Sequence, residues 1–323
     1  MFSIIIPLYN KIGFISRALD SVVNQTYKEY EIIVVNDGST DGSEKIVQNN
    51  FGDKVKVINQ KNQGVSTARN TGIAHAKYPY IAFLDADDIW HPDYLYSVNK
   101  TIEANEYPGI LGTNFIRFKS FEELDLPNYP DVDAIPVKNY SIAEYFNKTI
   151  NHTLIFTSCI VMKKEFFDTN AGFDPPLKFG EDLDVWFRAI LLYGKLVYVQ
   201  KKLVYYSRED LSAATKKDYL LEQTLIPKIL NPDFFPLDKI ENPKDAKAFK
   251  SYRSKWICLG MPPIYRLKEN EASINQVIPQ IGNKFFFYKW YYLLPFSITY
   301  KTFRSKYPHK LWVKYLKFCY RCF

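Results

Sequence analysis

The first third of the chain alternates between short apolar runs and stretches with helical spacing. Four runs rich in Ile and Val each end in polar or turn residues, a pattern typical of buried parallel strands. These runs cover 3–7, 31–36, 55–59 and 80–85. Predicted helices cover 14–23, a segment that starts near Asp41, 65–76 and 92–105. This alternation of strands and helices predicts a doubly wound α/β fold.

The pattern after residue 105 is less regular. Residues 124–137 contain three prolines and predict a loop, whereas Ser141-Ile-Ala-Glu144 has the form of a capping box that opens a helix. Further predicted elements are strands over 154–162 and 195–206 and a helix over 182–192. Beyond 218 the pattern is helical, with breaks expected near Pro232, Pro236, Pro243 and Pro262–Pro263. We therefore expect a domain over 1–217, with halves 1–105 and 106–217, followed by a helical region over 218–323.

Composition excludes several classes of protein. A chain of 323 residues with 25 Tyr and 24 Phe has enough apolar surface to fold, which excludes intrinsic disorder. Four Cys in so long a chain exclude a disulfide scaffold and favour a reducing compartment. The apolar run at the N-terminus lacks a basic flank and stops at Pro7, and no stretch approaches the roughly 20 apolar residues of a membrane-spanning helix. We expect a cytoplasmic protein.

The net charge of +7 is concentrated at one end of the sequence. Residues 272–323 hold nine Lys and Arg and no acid, so the remainder of the chain carries a charge of −2. Four of these cations share one face of a predicted helix: Lys310, Lys314, Lys317 and Arg321. With the aromatic block 285–292, this pattern is typical of a helix that lies on an anionic membrane. Single-stranded nucleic acid is an alternative partner for this tail. Another alternative is that the aromatic block packs on the preceding domain.

The segment Tyr80-Ile-Ala-Phe-Leu-Asp-Ala-Asp-Asp88 predicts a strand that delivers three acids at its end. On an extended chain Asp85 and Asp87 point to the same side. Paired carboxylates at the carboxyl end of a strand suit a hard divalent cation that bridges phosphates, and open α/β sheets bind ligands at this edge. The alternative is a solvated loop that caps the next helix.

Three further segments carry candidate chemistry. Asp37 ends a strand and could accept from a base N–H or a ribose hydroxyl, unless 36–38 is only a tight turn. Arg69, near a helix start with small residues, could face a pyrophosphate, or it could be an ordinary surface arginine. Glu181 and Asp182 stand at a helix start, where Asp182 could act as a general base or both could serve as caps.

Taken together, these segments resemble the inverting family 2 glycosyltransferases of GT-A fold. The resemblance covers roughly residues 1–215. It rests on Pro7-Leu-Tyr-Asn10, the Asn-Asp-Gly-Ser-Thr-Asp turn over 36–41, the Gly-x-x-x-Ala-Arg-Asn-x-Gly segment over 64–72, Asp-x-Asp over 85–87, Gly-Phe-Asp over 172–174 and Glu-Asp over 181–182. It implies a Rossmann-like mixed sheet flanked by helices.

The resemblance also implies a role for each matching residue. Pro7, Tyr9 and Asp37 would hold the nucleoside, and Arg69 would face the diphosphate. Asp85 and Ala86 would contact the donor, with Asp85 near the ribose and the metal and Asp87 the principal metal ligand. Asp182, beside Glu181, would take the proton from the acceptor hydroxyl. One departure is Glu209, which stands where many relatives carry a histidine.

The implied activity is metal-dependent transfer of one sugar, with Mn²⁺ or Mg²⁺, from a nucleotide-diphosphate sugar that is UDP-linked. The implied acceptor is a glycan or a lipid-linked saccharide in the synthesis of a cell-surface polysaccharide. A lipid-linked acceptor favours the anionic inner face of the plasma membrane over nucleic acid as the partner of the basic tail. Two alternatives remain, namely a phosphohydrolase with an aspartate nucleophile and a non-catalytic module that binds nucleotide sugars.

Overall fold

A computed structural model describes residues 1–210, 217–231, 233, 240–280, 290–305, 311 and 314, except for the side chains at 258 and 259. Its strands are β1 (Phe2–Leu8), β2 (Tyr30–Asn36), β3 (Lys56–Asn59), β4 (Tyr80–Phe83), β5 (Ile89–Trp90), β6 (Ile110–Phe118), β7 (Val137–Ser141), β8 (Ile160–Lys163) and β9 (Lys195–Ser207). Its α-helices are α1 (Ile15–Val23), α2 (Ser43–Phe51), α3 (Val65–Ala74), α4 (Tyr94–Ala104), α5 (Ile142–Thr149), α6 (Glu165–Thr169), α7 (Glu181–Tyr193), α8 (Leu225–Leu230), α9 (Pro243–Tyr265), α10 (Glu271–Val277) and α11 (Phe296–Arg304).

The strands of the described chain form one mixed sheet in the order β3-β2-β1-β4-β8-β6-β9-β5, with β7 paired to β9. Strands β1 to β4 run parallel to one another, whereas β8 is antiparallel to both β4 and β6. Because parallel strands end at the same edge, the segments that follow β1, β2 and β4 emerge side by side. The predicted α/β architecture is confirmed.

Strands β1 and β4, in the parallel half of the sheet, are buried on both faces. Strand β1 is a run of apolar residues broken only by Ser3 and the half-buried Pro7, and β4 is entirely buried. Helix α1 turns Ile15, Ala18, Leu19 and Val22 inward at helical spacing, as predicted. Such burial stabilises a fold by about 25 cal/mol for each Å² of apolar surface removed from water. This core fixes the strand ends that carry the candidate site.

Several predicted elements differ from the observed ones. The predicted strand over 154–162 is wrong in its first half, because Thr157–Cys159 forms a 3-10 turn before β8 begins at Ile160. The helix predicted from Asp41 begins at Ser43, and the one predicted from residue 92 begins at Tyr94.

The strand β6 is not predicted from the sequence, and the loop predicted over 124–137 gives way to β7 at Val137. The predicted break at Pro262–Pro263 is also wrong, because α9 runs through both prolines before it ends at Tyr265. Pro232 and Pro236 lie outside the described residues.

The chain divides into two compact units. The first comprises Met1–Tyr140, Leu154–Pro175 and Asp184–Leu211, and the second comprises Ser141–Thr153, Pro176–Leu183 and Ser212–Phe323. The division predicted from the sequence, at residue 217, stays a prediction, because compactness within one structure does not establish which segments fold independently.

The second unit is helical in its described part. Helix α5 opens with the predicted capping box, in which Ser141 and Glu144 satisfy each other's backbone N–H groups. It packs on α9 through Phe146, whose ring centroid lies 4.9 Å from that of Phe249. Throughout the described chain, no helix combines the length and apolar composition needed to cross a bilayer.

Candidate active site

The carboxyl ends of β1, β2 and β4 bring together most of the residues predicted for the donor site. Pro7 is half-buried within β1, and Tyr9, just beyond it, is 49% exposed. Asp37 follows β2 directly, and the acids at 85–88 follow β4. The sheet topology thus explains why segments far apart in the sequence meet at one edge.

Asp37 is buried and accepts three hydrogen bonds from the loop before α3. One carboxylate oxygen accepts from Gln60 Nε2 and the Gln63 N–H, both at 2.8 Å, and the other accepts from the Gly64 N–H at 2.8 Å. A carboxylate has about four acceptor positions, so one remains for a ligand donor. Asp37 therefore shapes the loop that opens α3 in addition to any role toward a nucleobase.

Arg69 is buried on α3 and pairs with the first acid of the turn after β4. Its guanidinium donates to Asp85 Oδ1 at 2.9 Å and lies 5.2 Å from the ring centroid of Phe173. Only 3% of its surface is exposed, so the interpretation as an ordinary surface arginine is wrong. A rigid, charged fork at this edge suits recognition of a diphosphate.

The acids after β4 lie in a tight turn. Strand β4 ends at Phe83, and the Asp88 N–H donates to the Asp85 carbonyl at 3.0 Å, which closes the turn around the buried Ala86. The premise that an extended chain aligns Asp85 with Asp87 is therefore wrong. The two side chains still interact, because the Asp85 charge contributes to the raised pKa of Asp87.

The Lys11 ammonium bridges two aspartates. Lys11 Nζ lies 2.6 Å from Asp87 Oδ2 and 2.5 Å from Asp210 Oδ2, and all three side chains are at most 21% exposed. Burial raises the pKa of Asp87, and Lys11 offsets that effect only in part. Burial acts to lower the pKa of Lys11, but the two carboxylates outweigh it and the pKa is raised. Lys11 therefore stays charged between them.

Asp88 is the structural member of the acidic turn. Its carboxylate is fully buried, accepts from the Ser158 hydroxyl at 2.5 Å and accepts from the Ser207 N–H at 2.9 Å. Burial raises the pKa of Asp88 well above its ordinary value, and the neighbouring acids raise it further. Ser158 also accepts the Asp85 N–H at 3.0 Å, so one hydroxyl joins both ends of the turn.

Glu209, the departure from the family pattern noted in the sequence, is held by an arginine. Arg17 donates to Glu209 Oε2 at 2.7 Å, and the Phe121 N–H donates to Oε1 at 3.1 Å. The neighbouring Asp210 is the residue that reaches the acidic turn through Lys11. Sequence reasoning missed Lys11, Arg17 and Asp210, because single charged residues near loops are most often solvated and their spacing gives no signal.

Trp90 and His91, which follow the turn, pack in the interior. The Trp90 indole N–H donates to the Ser158 carbonyl at 2.8 Å, and its ring stacks on Tyr94 with centroids 4.1 Å apart. His91 lies within 3.1 Å of the Pro127 carbonyl, and burial lowers its pKa.

Glu181 and Asp182 open α7 and belong to the second unit. The preceding Gly180 has φ +85°, and a Cβ there would come within 2.9 Å of both Leu225 and Trp256, so only glycine fits. Burial raises the pKa of the Tyr252 phenol, and the Asp182 charge raises it further. The Asp182 carboxylate therefore lies close to the buried phenol of Tyr252.

Among the described residues, no three His, Cys, Asp or Glu side chains form a ready-made metal cluster. The described part of the tail, near Trp290 and Leu311, exposes apolar side chains. Most of the basic tail, including Lys310, Lys317 and Arg321, lies outside the described residues, as does most of the aromatic block 285–292.

The fold of the chain is similar to that of solved glycosyltransferase structures. Residues 1–349 of TarS from Staphylococcus aureus, solved in complex with UDP-GlcNAc, align over 96% of this chain and 92% of that chain, with a TM-score of 0.68 and 18% identity. The same TarS segment with UDP gives a TM-score of 0.64. At this identity the likeness concerns the fold, and it confirms the GT-A architecture expected from the sequence.

Sequence relatives are glycosyltransferases by name. An uncharacterized glycosyltransferase of Rickettsia prowazekii is 32% identical over 190 residues, which cover 58% of each chain. Glycosyltransferase GlyA of Streptococcus pneumoniae is 34% identical over 214 residues, 63% of this chain and 30% of GlyA. The chain therefore spans less than two thirds of these relatives. The sequence pattern of the family called Glycosyl transferase family 2 matches residues 3–170, more than half of the chain. The chain belongs to Glycosyl transferase family 2.

Proposed function

We propose that the chain transfers one sugar from a nucleotide-diphosphate sugar to a hydroxyl of a glycan or a lipid-linked saccharide, with inversion at the anomeric carbon. The observation that carries the proposal is the pairing of two cations with the turn after β4, Arg69 with Asp85 and Lys11 with Asp87. A departing diphosphate needs positive charge close to it, and its counter-ion needs carboxylates. Both are present at the ligand-binding edge of the sheet.

The donor nucleoside is proposed to lie over the ends of β1 and β2. The exposed Tyr9 ring offers a stacking surface, and Asp37 keeps one acceptor position for a base N–H. Pro7 shapes the end of β1, and Ala86 allows the chain of the turn to approach a ligand closely. The fold-level likeness to TarS, which was solved with UDP-GlcNAc, makes a UDP-linked sugar the first donor to test.

A divalent cation, Mn²⁺ or Mg²⁺, is proposed to bind at Asp87 and Asp85. The carboxylate oxygens of the turn are hard ligands, and the Lys11 ammonium already stands as a cation between Asp87 and Asp210, so the site accommodates positive charge. When bound, such an ion neutralises the diphosphate that leaves. Asp87 and Asp85 would hold it, and Arg69 would orient the diphosphate through its guanidinium.

Asp182 is proposed as the general base, with Glu181 as its neighbour at the start of α7. The acceptor oxygen forms a bond to the anomeric carbon as the bond to the diphosphate oxygen breaks, and the hydroxyl proton passes to the Asp182 carboxylate. A single base suffices for this in-line displacement and contributes typically 10²–10⁴-fold. The acidic partner needed by a hydrolase is not required.

Contact with an anionic membrane is proposed for the C-terminal region. Trp290, Leu293 and Ile298 are at least 49% exposed, and Lys301 and Arg304 follow within the same segment. Exposed apolar side chains beside cations suit the interface of an anionic bilayer. This location fits a lipid-linked acceptor on the inner face of the plasma membrane.

The test is a panel of nucleotide sugars with Mn²⁺, in which release of nucleoside diphosphate is measured with and without candidate acceptors. Release that depends on the acceptor supports transfer. Asp182→Asn should lose turnover and keep donor binding, while the surface control Asp53→Asn should keep both. Release of phosphate from simple monoesters would instead support the phosphohydrolase, and donor binding without turnover in the unmodified chain would support the binding module.

A further inference from the structure

The Lys11 ammonium lies between two carboxylates that come from distant segments of the first unit. Asp87 follows β4, whereas Asp210 follows β9, and both bind the same nitrogen at 2.6 Å and 2.5 Å. The three side chains are 13–21% exposed, so water reaches the cluster but does not dominate it. Charge-assisted hydrogen bonds of this length are the strong ones.

A divalent cation bound to the Asp87 oxygen that Lys11 contacts would need the same space. Ions such as Mg²⁺ sit about 2.1 Å from carboxylate oxygens, closer than any ammonium. Two cations within that distance of one oxygen would repel each other strongly, because the site is largely screened from water. Occupancy by the ion and the Lys11 bridge therefore exclude each other.

From this exclusion, and resting on the proposed metal-dependent transfer, we propose that Lys11 is a built-in competitor for the divalent cation and that Asp210 joins Asp87 as a ligand once Lys11 is displaced. The lysine keeps the carboxylates together in the absence of the ion. It also weakens the apparent affinity for the ion, because the competent state is only the fraction of molecules in which Lys11 has moved away. Lys11 and Asp210 are thus positioning and ligating groups that set the cation requirement of the enzyme.

The ion pair of Arg17 and Glu209 serves as the control for the Lys11 bridge. Their side chains meet at 2.7 Å, Arg17 lies six residues after Lys11 and Glu209 lies one residue before Asp210, and the two side chains are exposed to a similar degree as the Lys11 cluster. Removing the Arg17 charge changes the net charge by the same amount as removing the Lys11 charge, but it leaves the Lys11 bridge in place. Any general electrostatic effect appears equally in both variants.

The experiment is a titration of the full chain with Mn²⁺ alone, without donor, followed by the electron paramagnetic resonance signal of the free ion. Lys11→Met should bind Mn²⁺ about tenfold more tightly than the unmodified chain, or better. Lys11→Arg, which keeps a cation, and Arg17→Met should each change the affinity by less than about threefold. Lys11→Gln replaces Lys11→Met if that variant does not fold, as judged by circular dichroism.

The role of Asp210 is tested in the Lys11→Met background. Adding Asp210→Asn should weaken Mn²⁺ binding by about tenfold, whereas adding Glu209→Gln should leave it within about threefold. Equal Mn²⁺ affinity in Lys11→Met and Arg17→Met, or no binding in either, would overturn the inference. Sugar transfer plays no part in this titration. A chain that transfers sugar but fails the titration refutes only the Lys11 inference, and a chain that passes without any donor turnover refutes only the proposed function.

Discussion

The side-chain amide of Asn70 forms two hydrogen bonds with the backbone of Phe173. Asn70 Nδ2 donates to the Phe173 carbonyl at 2.7 Å, and the Phe173 N–H donates to Asn70 Oδ1 at 2.8 Å. A Cβ on the preceding Gly172 would lie 2.3 Å from Asn70 Oδ1, so the approach requires glycine. Two motifs that are 103 residues apart are thereby joined directly beside Arg69, whose guanidinium lies over the Phe173 ring.

Asn70→Ala should destabilise the protein and loosen Arg69. Both backbone groups of Phe173 would lose their partner in a partly buried place, which costs about 1–3 kcal/mol for each unsatisfied group. Urea denaturation measures the loss, and the affinity for UDP measures the effect on Arg69. Asn50→Ala, on an exposed face of α2, is the control and should stay within about 0.5 kcal/mol. Unchanged stability of Asn70→Ala would mean that the two motifs are held together by other contacts.

Asp37→Asn should weaken donor binding through the shape of the loop. An amide has only one oxygen, so at least one of the three donors now bound by Asp37 would face an NH₂ group instead. We expect the dissociation constant for UDP, measured by calorimetry, to rise by about tenfold or more, in keeping with the loss of about 1–3 kcal/mol. Asp53→Asn, at an exposed position, should bind UDP normally. A normal dissociation constant in Asp37→Asn would remove Asp37 from the nucleoside site.

Removal of the divalent cation should reversibly abolish transfer. Excess EDTA should stop acceptor-dependent release of nucleoside diphosphate, and added Mn²⁺ should restore it, because the ion proposed at Asp85 and Asp87 would supply positive charge to the departing diphosphate. Asp87→Asn should make donor binding insensitive to Mn²⁺, while the exposed control Asp20→Asn should behave as the unmodified chain. Full turnover in EDTA would contradict the metal assignment altogether.

Lys255 should make the stability depend on pH in the alkaline range. Burial lowers the pKa of Lys255 from 10.5 to about 8, while its ammonium donates to the Thr149 carbonyl at 3.0 Å. Between these two pKa values the unfolded chain binds more protons than the folded one, so the free energy of unfolding rises with pH from about 8 to about 10.5 and the penalty is full below about 8. The rise is up to roughly 3 kcal/mol.

This pH dependence is isolated by comparing variants, since tyrosines also titrate in the range. The free energy of unfolding is measured by urea denaturation for the unmodified chain and for Lys255→Met at several pH values between about 7 and 10.5. As the pH rises, the unmodified chain should gain stability relative to Lys255→Met. Lys250→Met, at an exposed position on the same helix, should run parallel to the unmodified chain. A constant difference for Lys255→Met would show that Lys255 has an ordinary pKa in the folded state.

The sequence predicts the strands and helices of the first 105 residues well, because apolar runs that end in turn residues leave few alternatives. It fails where tertiary contacts decide. Strand β6 contains Gly112 and Asn114, which disfavour strands, and it forms because β8 and β9 flank it. The acids at 85 and 87 are correctly placed at the edge of the sheet but curl into a turn that Ser158 stabilises from a distant segment.

The candidate site residues also divide into those that local sequence predicts and those that only tertiary contacts reveal. The placement of Asp37, Arg69 and Asp85 at this edge follows from local motifs, since each is near a strand end or a helix start, whereas their roles stay predictions. Lys11 and Asp210 are not predicted in this way, because their meaning comes from a contact across 199 residues that no spacing encodes.

The full enclosure of Asp88 has a consequence for redesigning this enzyme. Its carboxyl group accepts hydrogen bonds from the Ser158 hydroxyl and the Ser207 N–H, so it joins the turn after β4 to two other segments of the chain. Changes aimed at the proposed sugar specificity are better made at the more exposed Asp85 and Asp87 than at Asp88. A longer or shorter side chain at position 88 would displace Ser158 and the Ser207 backbone and destabilise the turn.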